Sequence, residues 1–107
     1  MIINNKKYGK EKTMAKKASA RHILVSSKEA CEKLKTEIAA GSDFAELARK
    51  HSQCPSGIQG GDLGEFHQGQ MVPEFDKVVF SGALGVVHGP IKTQFGYHLL
   101  EITSRTD

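Results

Sequence analysis

At 107 residues the chain has room for one domain and one modest core. Its 38% hydrophobic and 25% charged side chains are globular proportions, which exclude a disordered or collagen-like chain. The net charge of +3 is unevenly spread: residues 1–21 hold seven basic side chains against one acidic, and residues 22–107 hold eight against eleven.

Residues 1–18 are polar, lysine-rich and without periodicity, and are predicted to be a disordered basic tail ahead of a domain over 19–107. Met14-Ala15-Lys16-Lys17 reads as a second possible start, with residues 1–13 either an upstream extension or a cloning remnant. Such a tail touches nucleic acid or acidic membranes by charge alone. With Tyr8 as its one stacking ring, a solvated tail is the expectation, and nucleic acid is not an expected partner.

Arg21 to Val25 is rich in branched residues and predicts a first strand. Ser26 or Ser27 then caps a helix over about Lys28–Ala40, with Ala30, Leu34 and Ile38 as its apolar stripe and Gly41 ending it. Cys31, beside that stripe, reads as a half-buried small apolar residue. Asp43 and Glu46 have capping-box spacing for a second helix that buries Phe44, Leu47 and Ala48 and ends near His51. Ser52 to Gly61 is a polar loop with room for a short helical turn.

Leu63 and Phe66, set among glycines, predict a short strand, and Gln68-Gly69-Gln70 a turn. Val72-Pro73-Glu74 opens a third helix, with Met71, Phe75 and Val78 spaced to line one face. Ser81 to Gly85 breaks it. Val86 to Ile91 is a weak strand in which Pro90 implies an edge or an irregularity, and Tyr97 to Thr103 is the last strand. The order β-α-α-β-α-β-β points to an α+β domain with a mainly antiparallel sheet.

Chemistry is harder to read from the residues alone. Two cysteines, Cys31 and Cys54, make no disulfide framework and no C-x-x-C pair. Five scattered histidines lack helical metal-site spacing, so no metal or other cofactor is expected. Phosphate-loop, dinucleotide and Gly-x-Ser-x-Gly patterns are absent, and Cys54 with a histidine is only weak support for a cysteine hydrolase. No apolar run approaches the roughly 18 residues that cross a bilayer. No apolar stretch follows the N-terminal lysines as in a secretory signal, so a cytoplasmic monomer without membrane contact is the expectation.

Several segments together carry more. His22-Ile-Leu-Val25, Gly60-Gly-Asp-Leu-Gly-Glu-Phe66, Gly69-Gln-Met71, Phe75 and Thr93-Gln-Phe-Gly-Tyr-His98 resemble, in order and spacing, the signature segments of the parvulin peptidyl-prolyl cis/trans isomerases. The resemblance covers about residues 20–104 and is nearest to the small single-domain bacterial parvulins. It implies the FKBP-like parvulin fold, a four-stranded antiparallel sheet surrounded by four helices. It also implies rotation about X–Pro bonds in proline-containing peptides and unfolded or partly folded proteins.

By the same resemblance Leu63, Met71 and Phe75 cradle the prolyl ring, with Phe95 as a further apolar wall. His22 and His98 stand side by side on the central strands, Thr93 bonds one of them, and Cys54 is the pocket thiol. Phosphate-directed relatives carry an arginine- and lysine-rich loop after the first strand. Here that connection is Ser26-Ser27-Lys28, so apolar rather than phosphorylated residues before proline are expected. A chaperone-like module that holds proline-containing segments, with slow or absent turnover, is the competing class.

Overall fold

The computed structural model describes residues 16–106. Strand β1 (Lys17–Val25) is followed by helices α1 (Lys28–Ala39) and α2 (Phe44–His51) and a 3-10 helix (Pro55–Gln59). Strand β2 (Asp62–His67), helix α3 (Pro73–Val79), and strands β3 (Val87–Thr93) and β4 (Gly96–Thr106) complete the chain. Three α-helices and one 3-10 helix thus stand where four helices were expected. The strands form one antiparallel sheet in the order β2-β1-β4-β3.

The first strand begins earlier than the composition suggests. Lys17 pairs with His67 on one side and with Thr106 on the other, and Ala18 is buried. Lys17 and Ala18 therefore leave the predicted tail and join the sheet, while residues 1–15 lie outside the described residues. Lysines hide the alternation there, and partners on both sides impose the extended backbone.

Local signals explain the helix ends. Ser27 caps α1 by accepting from the Ala30 amide at 3.1 Å. At its other end the Gly41 amide reaches Ile38 and the Ser42 amide reaches Glu37, a Schellman closure. The buried line of α1 runs through Cys31 and Leu34, with Ile38 half-buried, whereas Ala30 of the expected stripe is exposed. The Asp43 carboxylate accepts from the Glu46 amide at the start of α2. Pro73 takes the first position of α3, where its missing N–H costs nothing. Met71 lies just ahead of this helix, which buries Phe75 and Val79.

Alternation along β1 and β4 sorts the core into two layers. Ile23, Val25 and Leu99 pack with Cys31, Leu34, Phe44, Leu47 and Ala48 under α1 and α2. Ala18, Ala20 and Leu100 pack with Phe66, Phe75 and Val79 under α3. On the first side Arg21 bridges Glu101 at 2.7 Å and lies 4.6 Å above the Phe44 ring, joining the two central strands to α2. Strand β3 is an edge, and its ladder slips between His88 and Ile91, where Pro90 removes a donor.

Candidate active site

The two central strands bring the histidines together by register. His22 is opposite Leu100 and His98 opposite Leu24, which makes the imidazoles diagonal neighbours on the α3 side of the sheet. Their Nδ1 atoms are 3.0 Å apart and the rings nearly parallel, with centroids 5.2 Å apart. Both side chains are buried. The Phe75 ring meets both edge-to-face, at 5.5 Å from each.

A chain of hydrogen bonds runs through this pair. Thr93 Oγ1 is 2.7 Å from His98 Nε2 and accepts from the Phe95 amide at 3.1 Å. On the other side His22 Nε2 is 3.2 Å from Ser56 Oγ, which donates to Cys54 Sγ at 3.3 Å. One assignment gives every hydrogen an acceptor. The Thr93 hydroxyl donates to His98 Nε2, His98 Nδ1–H donates to His22 Nδ1, and His22 Nε2–H donates to Ser56. Both rings are neutral in that arrangement.

Electrostatics favour the same state. Burial, then the neighbouring His98, lowers the His22 pKa from 6.5 to about 4. Burial also holds His98 below its ordinary value. A charged imidazole here loses water and faces a second ring that cannot answer it.

The 3-10 helix is held over His22 by one glycine. Gly61 has φ +86°, its carbonyl accepts from the His22 amide at 3.0 Å, and a Cβ on it would collide with the His22 carbonyl. Behind Ser56, a Cβ on Gly57 would come within 2.9 Å of the Ala48 carbonyl, so the turn lies flat on α2.

Above the imidazoles lies a cleft of about 470 Å³. His22, His98, Cys54, Leu63, Met71, Phe75 and Phe95 line it, so seven of the eight residues singled out in the sequence converge there. The eighth, Thr93, sits beneath, bonded to His98. Leu24, Gln53, Pro55 and Val72 complete the wall. Sequence reading missed these four and Ser56. Only the turn-forming Pro55 signals that Ser56 doubles back beside Cys54.

A larger depression of about 760 Å³ on the outer face of α3 is lined by Gln68, Pro73, Glu74, Asp76 and Lys77. It is shallow, is completed by Phe80 and Ser81, and contains neither of the paired histidines. Among the described residues no three His, Cys, Asp or Glu side chains converge as metal ligands. Both cysteines are free.

Comparison with known proteins agrees with this geometry. The model of the PPIC-type PPIase domain matches residues 3–106. The foldase protein PrsA of Geobacillus sp. strain WCH70 is 42% identical over 92 residues, covering 85% of this chain and 33% of the foldase. The chain thus spans about a third of the length of such relatives. The crystal structure of PrsA from Bacillus anthracis superposes with a TM-score of 0.84 at 35% identity, covering 96% of this chain and 48% of that one. NmPin, the parvulin of Nitrosopumilus maritimus, superposes at 0.76 and 33% identity, over 84% of this chain and 98% of that one. With the paired histidines, the apolar cleft and the sheet order all in place, the chain belongs to the PPIC-type, that is parvulin-type, peptidyl-prolyl cis/trans isomerases.

Proposed function

We propose that the cleft seats a prolyl ring between Met71, Phe75 and Leu63 and lets its amide rotate without forming any covalent bond. The natural substrates on this reading are unfolded or partly folded proteins, with apolar rather than phosphorylated residues before proline. The observation that carries it is the placement of Phe75, whose ring both walls the cleft and meets the two imidazoles edge-on.

The barrier to be lowered is about 18–20 kcal/mol of lost amide resonance. Planar amides are charge-separated and water stabilises them, whereas the twisted amide is less polar. A dry wall of thioether, phenyl and leucine side chains therefore favours the twisted form, and fixed groups hold the flanking chain in place. His22, His98, Thr93 and Cys54, linked through Ser56, serve as a rigid hydrogen-bonded floor.

Substrate preference follows from charge. Among the described residues no lysine or arginine lines the cleft, and Phe95, 60% exposed, stands at its rim. A phosphate there meets an apolar ring and no cation, which leaves its charge uncompensated.

The test is an isomerisation assay on matched peptides with leucine, glutamate or phosphoserine before proline. Leucine is expected to have the highest kcat/KM. A preference for phosphoserine overturns the substrate assignment, and turnover that survives in Met71→Ala, Phe75→Ala protein that still melts cooperatively overturns the pocket. Binding of the peptides with no acceleration replaces the enzyme reading with a holding module.

A further inference from the structure

A second groove, about 320 Å³, opens at the same end of β1 as the proline cleft but on the opposite face of the sheet. Gln53 lines both. Leu24 belongs to the cleft and the next residue, Val25, to the groove, so the passage between them is the end of one strand. Only Ser26 and Ser27 separate β1 from α1, and the Gln53 amide donates to the Leu24 carbonyl, which fixes Gln53 beside the strand end between the two openings.

The floor of the groove is aliphatic. Val25 and Leu34 are each 5% exposed, and Ala30 is an exposed alanine in the first turn of α1. The rim carries Lys33 and Glu37, whose charges cancel, with His51 facing them from α2. Such a site favours a neutral branched side chain over either sign of charge. At the low end of ligand-pocket volumes, it has room for one or two residues.

We propose that this groove is a second subsite, which takes an aliphatic side chain of the same substrate chain a few residues away from the proline. The inference rests on the isomerase reading of the cleft. An extended chain advances about 3.3 Å per residue, so a segment leaving the cleft rounds the strand end along Gln53 within a few residues. The groove then selects substrates with a proline close to an aliphatic residue, which is the pattern of core-forming segments exposed before folding.

The test moves a single leucine through a serine- and glycine-rich proline peptide, up to about four positions on either side, and measures kcat/KM for each. One position is expected to gain about tenfold over the leucine-free peptide, mainly through KM. In Ala30→Arg protein, whose new side chain lies over the floor and is a good helix former, that gain should vanish when referred to the leucine-free peptide in the same variant. Methyl NMR supplies an independent readout: Val25 and Leu34 signals should shift with the favoured leucine peptide and not with the leucine-free one. A flat profile, a gain that survives Ala30→Arg, or unmoved methyls overturns the subsite while leaving the isomerase reading intact. Absence of turnover for every peptide overturns both.

Discussion

Two imidazoles whose Nδ1 atoms lie 3.0 Å apart share one hydrogen, and that constraint orders the protons from Thr93 to Cys54. Ser56 is where the order is set, because its hydroxyl serves both His22 and Cys54. Losing one buried hydrogen-bond partner costs about 1–2 kcal/mol. Ser56→Ala should therefore show mixed His22 tautomers in imidazole nitrogen shifts and about a tenfold lower kcat/KM, while Ser56→Thr keeps both near the parent values. An unchanged tautomer in Ser56→Ala removes the serine from the chain.

The two thiols separate just as sharply. Cys31 is fully buried, and burial, reinforced by Glu32 and opposed by Lys35, pushes its pKa up to about 11. Cys54 stands in the cleft wall. Alkylation of the folded protein should modify Cys54 first and reach Cys31 only on unfolding, as peptide mapping reads out. Cys54→Ser and Cys54→Asp each retain an acceptor for the Ser56 hydroxyl and should keep most of the isomerase activity. A loss of a thousandfold or more would require a nucleophile at that position.

Among the elements, the 3-10 helix buries only Gly57 of its own residues, yet it carries Ser56 to the imidazoles. It reaches His22 through Gly61, at a backbone angle that suits glycine, and with no room for a Cβ. Gly61→Ala should cost about 2 kcal/mol or more and lower activity beyond the loss in folded fraction, because Cys54 and Ser56 move with the turn. Thermal melting and kcat/KM on the same preparation separate the two effects. Helix α1 is a contrasting case. Its Ser27 cap touches nothing in the cleft, so Ser27→Ala should lower stability by about 1 kcal/mol and leave turnover on a short proline peptide unchanged.

For the molecule as a whole, the buried neutral imidazoles couple folding to pH. Unfolded, a histidine titrates near 6.5, whereas folded His22 titrates near 4. Between those values the unfolded chain binds a proton that the folded chain refuses. Stability from this group is therefore complete above pH 6.5, declines as pH falls, and levels off below about 4, a loss on the order of 3 kcal/mol. Burial of His98 acts in the same direction. Urea midpoints should drop from pH 7 to pH 4.5, and less so in His22→Gln. A flat midpoint in the parent protein contradicts the neutral pair.

Much of this molecule was legible in the chain because its signals are local. Ser27 and Asp43 at helix starts, Gly41 at a helix end, Pro73 at a first helical position and Pro90 on an edge each act within a few residues of themselves. The histidines, Cys54, Leu63, Met71, Phe75 and Phe95 were legible only as a recurring pattern, since no spacing along the chain states that they meet. Tertiary structure decided the rest. Lys17 and Ala18 are strand because two neighbouring strands bond them, against a composition that reads as tail. Ala30 is exposed and Cys31 buried because the sheet, not the spacing, chooses which side of α1 faces inward. Ser56 joins the imidazoles because Gly61 folds the loop back onto β1. Register and loop closure depend on contacts between residues distant in sequence, and these supply the free energy that overrides local preference.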